Sequence, residues 1–192
     1  MSHRDPPRAV LDADIIYSRV LHELMGRVAK RLRLLNLVWS EELLAEAKRA
    51  LVQRKGLTDD VAQRWVDYLS ENFSAGRIDI GEALTSVELD ALTSDPGDRH
   101  VCALVIASDA HYLFTHDRGY LRDRLTAHGI AVTDPDSFLV NALDDQPEGM
   151  LGLLELQAST WAGGRTIEEL LDAIARAGAG RFASKARRSL YI

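Results

Sequence analysis

Four acidic residues adjoin apolar segments of the sequence. Such segments are normally buried, and buried positions normally exclude charged side chains. Asp12 interrupts the apolar run VLDADIIY, residues 10–17, and Asp117 follows the run YLFTH. Asp98 precedes a segment that is apolar on nearly every side, and Glu46 adjoins the apolar face of a predicted helix. Burying a carboxylate costs free energy unless it is paired, hydrogen-bonded or bound to a metal. These positions therefore predict a shared partner for the four acids.

A cation is the partner that best fits four acids. Ionised carboxylates cannot share one pocket without a positive charge that offsets their repulsion. Oxygen-only ligands favour a hard ion, Mg²⁺ or Mn²⁺, and the chain has no cysteine pair or spaced histidine pair that would indicate zinc. Such a site suits phosphodiester hydrolysis, because a bound metal lowers the pKa of water and offsets charge on the leaving oxygen.

The order of the predicted elements places these acids at one edge of a sheet. Predicted helices alternate with predicted strands over residues 8–13, 37–40, 112–116 and 130–134. This alternation favours an α/β fold, a three-layer α/β/α sandwich with a parallel central sheet. Functional groups gather at the carboxyl ends of such strands, where Asp12 and Asp117 both lie.

Other segments have less regular patterns. The spacing of apolar residues predicts one helical stripe between residues 16 and 35. Residues 77–81 are a candidate short strand, and residues 82–94 are either a short helix or a loop. No strand is predicted near the C-terminus, where two or three helices are expected. We therefore predict a first domain over residues 1–145, which carries the acids, and a helical C-terminal extension over residues 146–192.

Each acid also has an ordinary structural interpretation. Asp98 or its neighbour Asp95 could cap a helix, Asp117 could cap the turn HDRG, and Glu46 could be a helix-surface acid. Three side chains near these acids have similar interpretations: Asp14 as a helix cap, and His100 and His116 as hydrogen-bonded structural histidines.

Composition and charge narrow the class of protein. The chain of 192 residues carries a net charge of −6 and one cysteine, Cys102, in an apolar run. We expect a buried thiol and a reducing compartment. The N-terminus is polar with no apolar leader, and the longest apolar run is far too short to span a bilayer. These features predict a cytoplasmic protein that does not enter a membrane.

Two basic patches could contact nucleic acid, since phosphate contacts depend on local charge. The first lies in RVAKRLR and the second in the tail RFASKARRSLYI. Solvated helix faces are the alternative interpretation of both. The candidate RNA-binding residues are Arg27, Lys30, Arg31, Arg187 and Arg188.

The chain resembles the PIN-domain family of Mg²⁺-dependent ribonucleases, specifically the VapC-type toxins of toxin–antitoxin modules. The resemblance covers about residues 8–143 and is carried by VLDADIIYSR, VWSEELLAEAKRAL, DPGDRHVCALVIASDA, LFTHDRGYL and DPDSFL. It implies an α/β/α sandwich with a parallel sheet and cleavage of RNA at one or two Mg²⁺ or Mn²⁺ ions. It also implies a homodimer and a cognate antitoxin that blocks the pocket.

The resemblance assigns roles to individual residues. Asp12, Asp98 and Asp117 would be metal ligands, and Glu46 would hold a metal or orient water. Thr115 would support the site by hydrogen bonding. Asp14 stands where many members of the family carry Asn or another small polar residue, so it is a candidate fifth acid.

The chain also departs from the family and has two rival interpretations. About 45 residues follow the expected end of the domain, and we hypothesise that their basic tail meets RNA or the antitoxin. One rival is a PIN-fold binding module for RNA or protein without activity. The other is a phosphatase of the haloacid-dehalogenase type, with Asp12 as the nucleophile. That class needs a positioned lysine, for which the sequence has no convincing candidate.

Overall fold

A computed structural model describes residues 5–85, 87–161 and 164–190. The first four residues of the polar N-terminal segment therefore lie outside the described range. The described residues form a parallel sheet of four strands in the order β2-β1-β3-β4. The strands are β1 (Arg8–Leu11), β2 (Asn36–Val38), β3 (Tyr112–Phe114) and β4 (Ala131–Thr133).

Helices flank this sheet and make up most of the described chain. The α-helices are α1 (Ala13–Tyr17), α2 (Arg19–Arg27), α3 (Glu41–Lys55), α4 (Asp59–Asn72), α5 (Arg99–Ala107), α6 (Arg122–Ala127), α7 (Pro135–Asp145), α8 (Pro147–Thr160), α9 (Ile167–Arg176) and α10 (Gly180–Leu190). A π-helical turn and four 3₁₀ turns complete them, at Val28–Leu32, Ser74–Gly76, Ala83–Thr85, Val87–Ala91 and Pro96–Asp98.

The predicted fold class is confirmed: an α/β chain with an all-parallel sheet and helices around it. The C-terminal region forms helices, as expected. The pairing of β1 with both β2 and β3 makes β1 a central strand, and its residues Ala9 to Leu11 are buried. This burial accounts for the uninterrupted apolar pattern of that strand.

Two predicted elements differ from those observed. The stripe over residues 16–35 is not one helix, because Ser18 is extended and its side chain accepts a bond from the Leu21 N–H to start α2. The candidate strand over residues 77–81 contributes only an isolated bridge between Arg77 and Trp39. Residues 83–85 and 87–91 form short 3₁₀ turns.

Helix α5 and the C-terminal helices fix the surroundings of the sheet edge. Residues 101–105 of α5 are fully buried, and Cys102 is among them, as expected. Helix α10 packs on α7 and α9, while α8 and α9 pack on α2. The C-terminal helices therefore share one core with the region that carries the acids. In the described ranges, no helix combines the length and apolar character needed to cross a membrane.

Candidate active site

Asp12 begins the site at the carboxyl end of β1. Its backbone N–H continues the ladder to Phe114 O at 2.9 Å, and its Oδ1 accepts the Ala13 N–H at 2.7 Å, which caps α1. Its Oδ2 accepts the hydroxyls of Thr115 at 2.7 Å and Tyr120 at 3.1 Å. Burial raises the pKa of Asp12 to about 6, even though the bond from Thr115 opposes the rise. Three hydrogen bonds therefore fix the Asp12 carboxylate, but their donors are neutral and do not offset its negative charge.

Thr115 and Asp117 follow β3 and face Asp12. The Thr115 hydroxyl donates to Asp12 and accepts the Asp117 N–H at 2.9 Å, so one side chain links two acids. Asp117 Oδ1 accepts the Gly119 N–H at 2.6 Å, so it also caps the local turn. A Cβ at Gly119 would lie 3.2 Å from Asp117 Oδ1 and 3.7 Å from Asp98 Oδ2. Both carboxylates therefore border the same stretch of backbone.

Asp98 occupies the first position before α5 but does not cap it. No side-chain cap bond is formed by Asp98, whereas the neighbouring Asp95 accepts the Gly97 N–H at 2.8 Å. Capping is therefore the role of Asp95, at the preceding 3₁₀ turn. Burial raises the pKa of Asp98 to about 7, and repulsion from four other acids adds to the rise: Asp12, Asp95, Asp117 and Glu46. Asp98 and these four acids line the same cleft.

Glu46 reaches the cleft from α3, with His100 beside it. His100 Nε2 lies 2.9 Å from Glu46 Oε2, the distance of an ion pair. Burial lowers the pKa of His100, but the Glu46 carboxylate outweighs it and the net change is upward.

Asp14 lines the same cleft from α1 and is tied to His116. Its Oδ2 accepts the His116 backbone N–H at 3.0 Å and lies 2.9 Å from His116 Nδ1. Its Oδ1 is buried and has no hydrogen-bond partner in the described part of the chain. Asp14 is not the cap of α1, since Asp12 performs that role.

These side chains line one cleft of about 400 Å³. Six acids line it, and helix α3 adds two arginines. The full lining is Asp12, Ala13, Asp14, Tyr17, Glu46, Arg49, Ala50, Gln53, Arg54, Asp95, Asp98 and Asp117. A cleft of similar volume near α2 and α4 contains one acid, Glu23, among aromatic and basic residues. The acidic cleft is therefore distinguished by its chemistry and not by its size.

The donor chemistry of the cleft fits a hard divalent cation. Its acids offer carboxylate oxygens, and Asp14 Oδ1 is buried without a hydrogen-bond partner in the described chain. Yet within residues 5–85, 87–161 and 164–190 no three His, Cys, Asp or Glu side chains are so arranged that they could hold a metal ion. A cation would have to draw the acids closer together than they lie here.

The candidate RNA-binding residues do not line this cleft. Arg27 pairs with Glu23 at 2.7 Å and donates to Thr160, and the Lys30 amine donates to Asn72 at 2.7 Å. Arg187 bridges Glu168 at 2.7 Å and Asp172 at 2.8 Å, which joins α10 to α9. Arg31 and Arg188 are exposed. An RNA contact by any of these residues stays a prediction.

Sequence reasoning missed Tyr120 and the two arginines of the cleft. Tyr120 is 108 residues from Asp12 and carries no local signal of its role. Arg49 and Arg54 could have been found, because they lie three and eight residues after Glu46 and so share its side of α3.

Comparison with known families bears on the C-terminal helices. Residues 135–188 match the family model described as the VapC50 C-terminal domain. The match supports a VapC-type toxin. It begins with α7 and includes none of the acids of the cleft. The PIN-domain resemblance of the remainder of the chain, and the division of domains at residue 145, stay predictions. No curated protein and no solved structure matches the chain.

Proposed function

We propose that this chain is a metal-dependent endoribonuclease and acts as the toxin of a toxin–antitoxin pair. The observation that carries the proposal is the convergence of acids around Asp98, whose pKa is raised to about 7 by burial and by repulsion from its neighbours. A purely structural cluster gains nothing from negative charge that is not offset, whereas a cation site binds its ion through that charge. The VapC-type match supports the toxin assignment.

The residues that would hold Mg²⁺ or Mn²⁺ are Asp12, Asp98 and Asp117, with Glu46 as a fourth ligand or as the base that orients water. When bound, such an ion supplies an activated water and offsets charge on the leaving oxygen of a phosphodiester. The acids are preorganised to different extents. Thr115 and Tyr120 fix Asp12, whereas Asp98 is held loosely, with the Thr93 hydroxyl at 3.5 Å.

The arginines of α3 suit the backbone of an RNA strand. Arg49 and Arg54 line the acidic cleft and are exposed. A strand of phosphates brought to a cleft of carboxylates is repelled, so cationic side chains at its rim would offset that repulsion. We assign substrate phosphates to Arg49 and Arg54 in preference to the basic patches elsewhere.

An antitoxin and a second copy of the chain are proposed partners. An exposed acidic cleft suits a basic side chain from an inhibitor, because a cation there would replace the charge that the metal supplies. Both proposals, inhibition by an antitoxin and a homodimer, rest on the resemblance to VapC-type toxins. The negative charge of the cleft also supports the inhibition.

A binding module without activity is the second candidate function. It draws support from the arrangement of the acids, which as placed do not form a three-residue metal site in the described ranges. The phosphatase alternative has less support, since the described lining of the cleft includes arginines but no lysine.

Cleavage of total cellular RNA by the purified protein tests the proposal. The assay compares Mg²⁺, Mn²⁺ and EDTA for the wild type, for Asp98→Asn and for the control Asp90→Asn, whose exposed carboxylate pairs with Arg99 outside the cleft. We expect metal-dependent cleavage that falls at least about a hundredfold in Asp98→Asn and is unchanged in Asp90→Asn.

Other outcomes would reject the proposal. Equal cleavage by the wild type and Asp98→Asn would exclude this site. An absence of cleavage by a folded wild-type protein that still binds RNA would favour the binding module.

A further inference from the structure

The C-terminal helices contact His116 at Gly178, in the turn between α9 and α10. Gly178 has φ of +101°, a conformation that L side chains rarely adopt. A Cβ at this position would lie 2.6 Å from Nε2 of His116 and 3.1 Å from its Cε1. The imidazole ring of His116 therefore occupies the space that any side chain at position 178 would need.

On its other side, the same ring contacts Asp14. His116 Nδ1 lies 2.9 Å from Asp14 Oδ2, and the His116 backbone N–H donates to the same oxygen at 3.0 Å. Asp14 lines the acidic cleft, and its Oδ1 is buried without a hydrogen-bond partner among the described residues. Because both bonds from His116 go to Oδ2, they determine where Oδ1 points.

The turn that carries Gly178 is anchored. Ala179 and Phe182 are fully buried. The Phe182 N–H donates to Oδ1 of the buried Asp136 at 2.7 Å, and Arg181 Nε donates to its Oδ2 at 2.7 Å. Since the start of α10 is fixed on α7, a group added at position 178 is expected to move His116 before it moves the turn.

We propose that Gly178 and His116 position Asp14 as a fifth carboxylate of the candidate active site. In this arrangement the C-terminal helices hold His116 against Asp14, so that the Asp14 carboxylate is fixed in the wall of the cleft as an acceptor for substrate, water or cation. The inference rests on the proposed function. Gly178 and His116 are positioning residues, since they act through Asp14 and neither lines the cleft.

The central test is Gly178→Ala, with two matched glycine controls. Gly129→Ala introduces the same kind of strain, since Gly129 has φ of +79° but open space around its Cβ position. Gly180→Ala lies in the same region as Gly178 and also meets nothing within 4 Å. We expect Gly178→Ala to lower kcat for RNA cleavage about tenfold with little change in KM. Both controls should stay within about twofold of the wild type.

A double-mutant cycle separates positioning from general damage to the fold. In a His116→Ala background the ring is absent, so Gly178→Ala should have no further effect on kcat. His116→Asn offers a rescue, because its side-chain amide can donate to Asp14 in place of Nδ1 without filling the space beside Gly178. This variant should retain more activity than His116→Ala and should be insensitive to Gly178→Ala.

Hydrogen exchange of the His116 amide gives a readout that does not depend on activity. We expect Gly178→Ala to accelerate this exchange about tenfold, and both controls to leave it unchanged. If the wild type does not cleave RNA but this acceleration is seen, the proposed function fails while the positioning contact stands. Unchanged exchange and unchanged kcat in folded Gly178→Ala would overturn the inference.

Equal effects of Gly178→Ala with and without His116 would overturn it too. If Gly178→Ala does not fold, the comparison of His116→Ala with His116→Asn decides the matter alone. Equal kcat and equal amide exchange in those two variants would then reject a positioning role.

Discussion

Two aspartates are equally buried in this fold, and their partners differ in kind. Asp12 and Asp136 are each 6% exposed. Asp136 joins α7 to α10 and receives the Arg181 guanidinium and the Phe182 N–H, both at 2.7 Å. Asp12 lies at the sheet edge, and its hydrogen bonds within the described chain come from Ala13, Thr115 and Tyr120, which are all neutral. Other acids surround it.

This difference is the one expected between a structural carboxylate and a carboxylate of the proposed active site. Asp136 has a cationic partner, so its charge is offset inside the protein. Asp12 and Asp98 have acidic neighbours instead, and burial together with repulsion from these neighbours raises the pKa of each. A cluster of acids whose negative charges are not offset lowers the free energy of unfolding. Such a loss of stability is typical of a site that is completed by a ligand.

The largest expected effect concerns the structural aspartate. Asp136→Ala should lower the free energy of unfolding by about 3 kcal/mol, because it removes two charge-assisted bonds at a buried position. Urea unfolding measures this change. The matched control is Asp144→Ala, which removes a more exposed α7–α10 pair with Lys185 and should cost less than about 0.5 kcal/mol. Equal losses of unfolding free energy in the two variants would contradict the claim that the buried pair stabilises the fold more than the exposed pair.

A second prediction concerns the pH dependence of stability in EDTA. The folded pKa of Asp12 is about 6, above its ordinary value of 3.8, so the folded state binds more protons between those pH values. Stability from Asp12 is therefore present below pH 4 and lost as the pH rises through 6. Between pH 5 and 8 the wild type should lose about 1.5 kcal/mol relative to Asp12→Asn.

His22 makes stability change with pH in the opposite direction to Asp12, and it does so both in the wild type and in Asp12→Asn. Burial lowers its pKa to about 3, so the folded state binds fewer protons there and stability rises with pH up to about 6.5. The difference between the wild type and Asp12→Asn cancels this contribution. If the free energies of unfolding of the wild type and Asp12→Asn differed by a constant amount from pH 5 to 8, the account of Asp12 would be contradicted.

A smaller effect is expected from the phenol that helps to hold Asp12. Tyr120→Phe removes the bond to Asp12 Oδ2 and should cost about 1 kcal/mol. It should also raise the pKa of Asp12 further, because that bond lowers it in the wild type. A carbon-detected NMR titration of the Asp12 carboxyl measures the shift, with Tyr112→Phe as a control that leaves these bonds in place. A lower pKa for Asp12 in Tyr120→Phe would contradict the geometry.

The smallest effect concerns the rim of the cleft. Arg49→Ala and Arg54→Ala should each reduce the slope of log affinity against log salt for RNA by about one. Arg31→Ala, in the basic patch outside the cleft, should leave the slope unchanged. Fluorescence anisotropy with labelled RNA in EDTA measures the three slopes. The reverse result would assign the substrate to the basic patch that the sequence first indicated.

The placement of the acids could be predicted because it follows from the sheet. Parallel strands end at one edge, so Asp12 and Asp117 had to meet once β1 and β3 were identified. Glu46 was predictable from its angle on α3. The approximate positions of the strands followed from short apolar runs, and those of most helices followed from apolar periodicity, since these elements bury residues in one core.

The remaining features depend on pairings that are distant in sequence. The break at Ser18 is invisible to periodicity, because Ile16, Val20 and Leu24 keep a helical spacing across it. The bond from Tyr120 to Asp12 and the packing of His116 on Gly178 join residues of different elements. Neither pairing leaves a trace in the local pattern.

The effect of Asp98→Asn on stability, with and without Mg²⁺, tests the central claim most directly. In EDTA at pH 8 the account predicts that this variant is more stable than the wild type by about 1 kcal/mol after solvent screening, because it removes a partly buried charge that neighbouring acids repel. Added Mg²⁺ should then stabilise the wild type and not the variant. A loss of stability in EDTA, like that of Asp136→Ala, together with an equal response to Mg²⁺, would contradict the account.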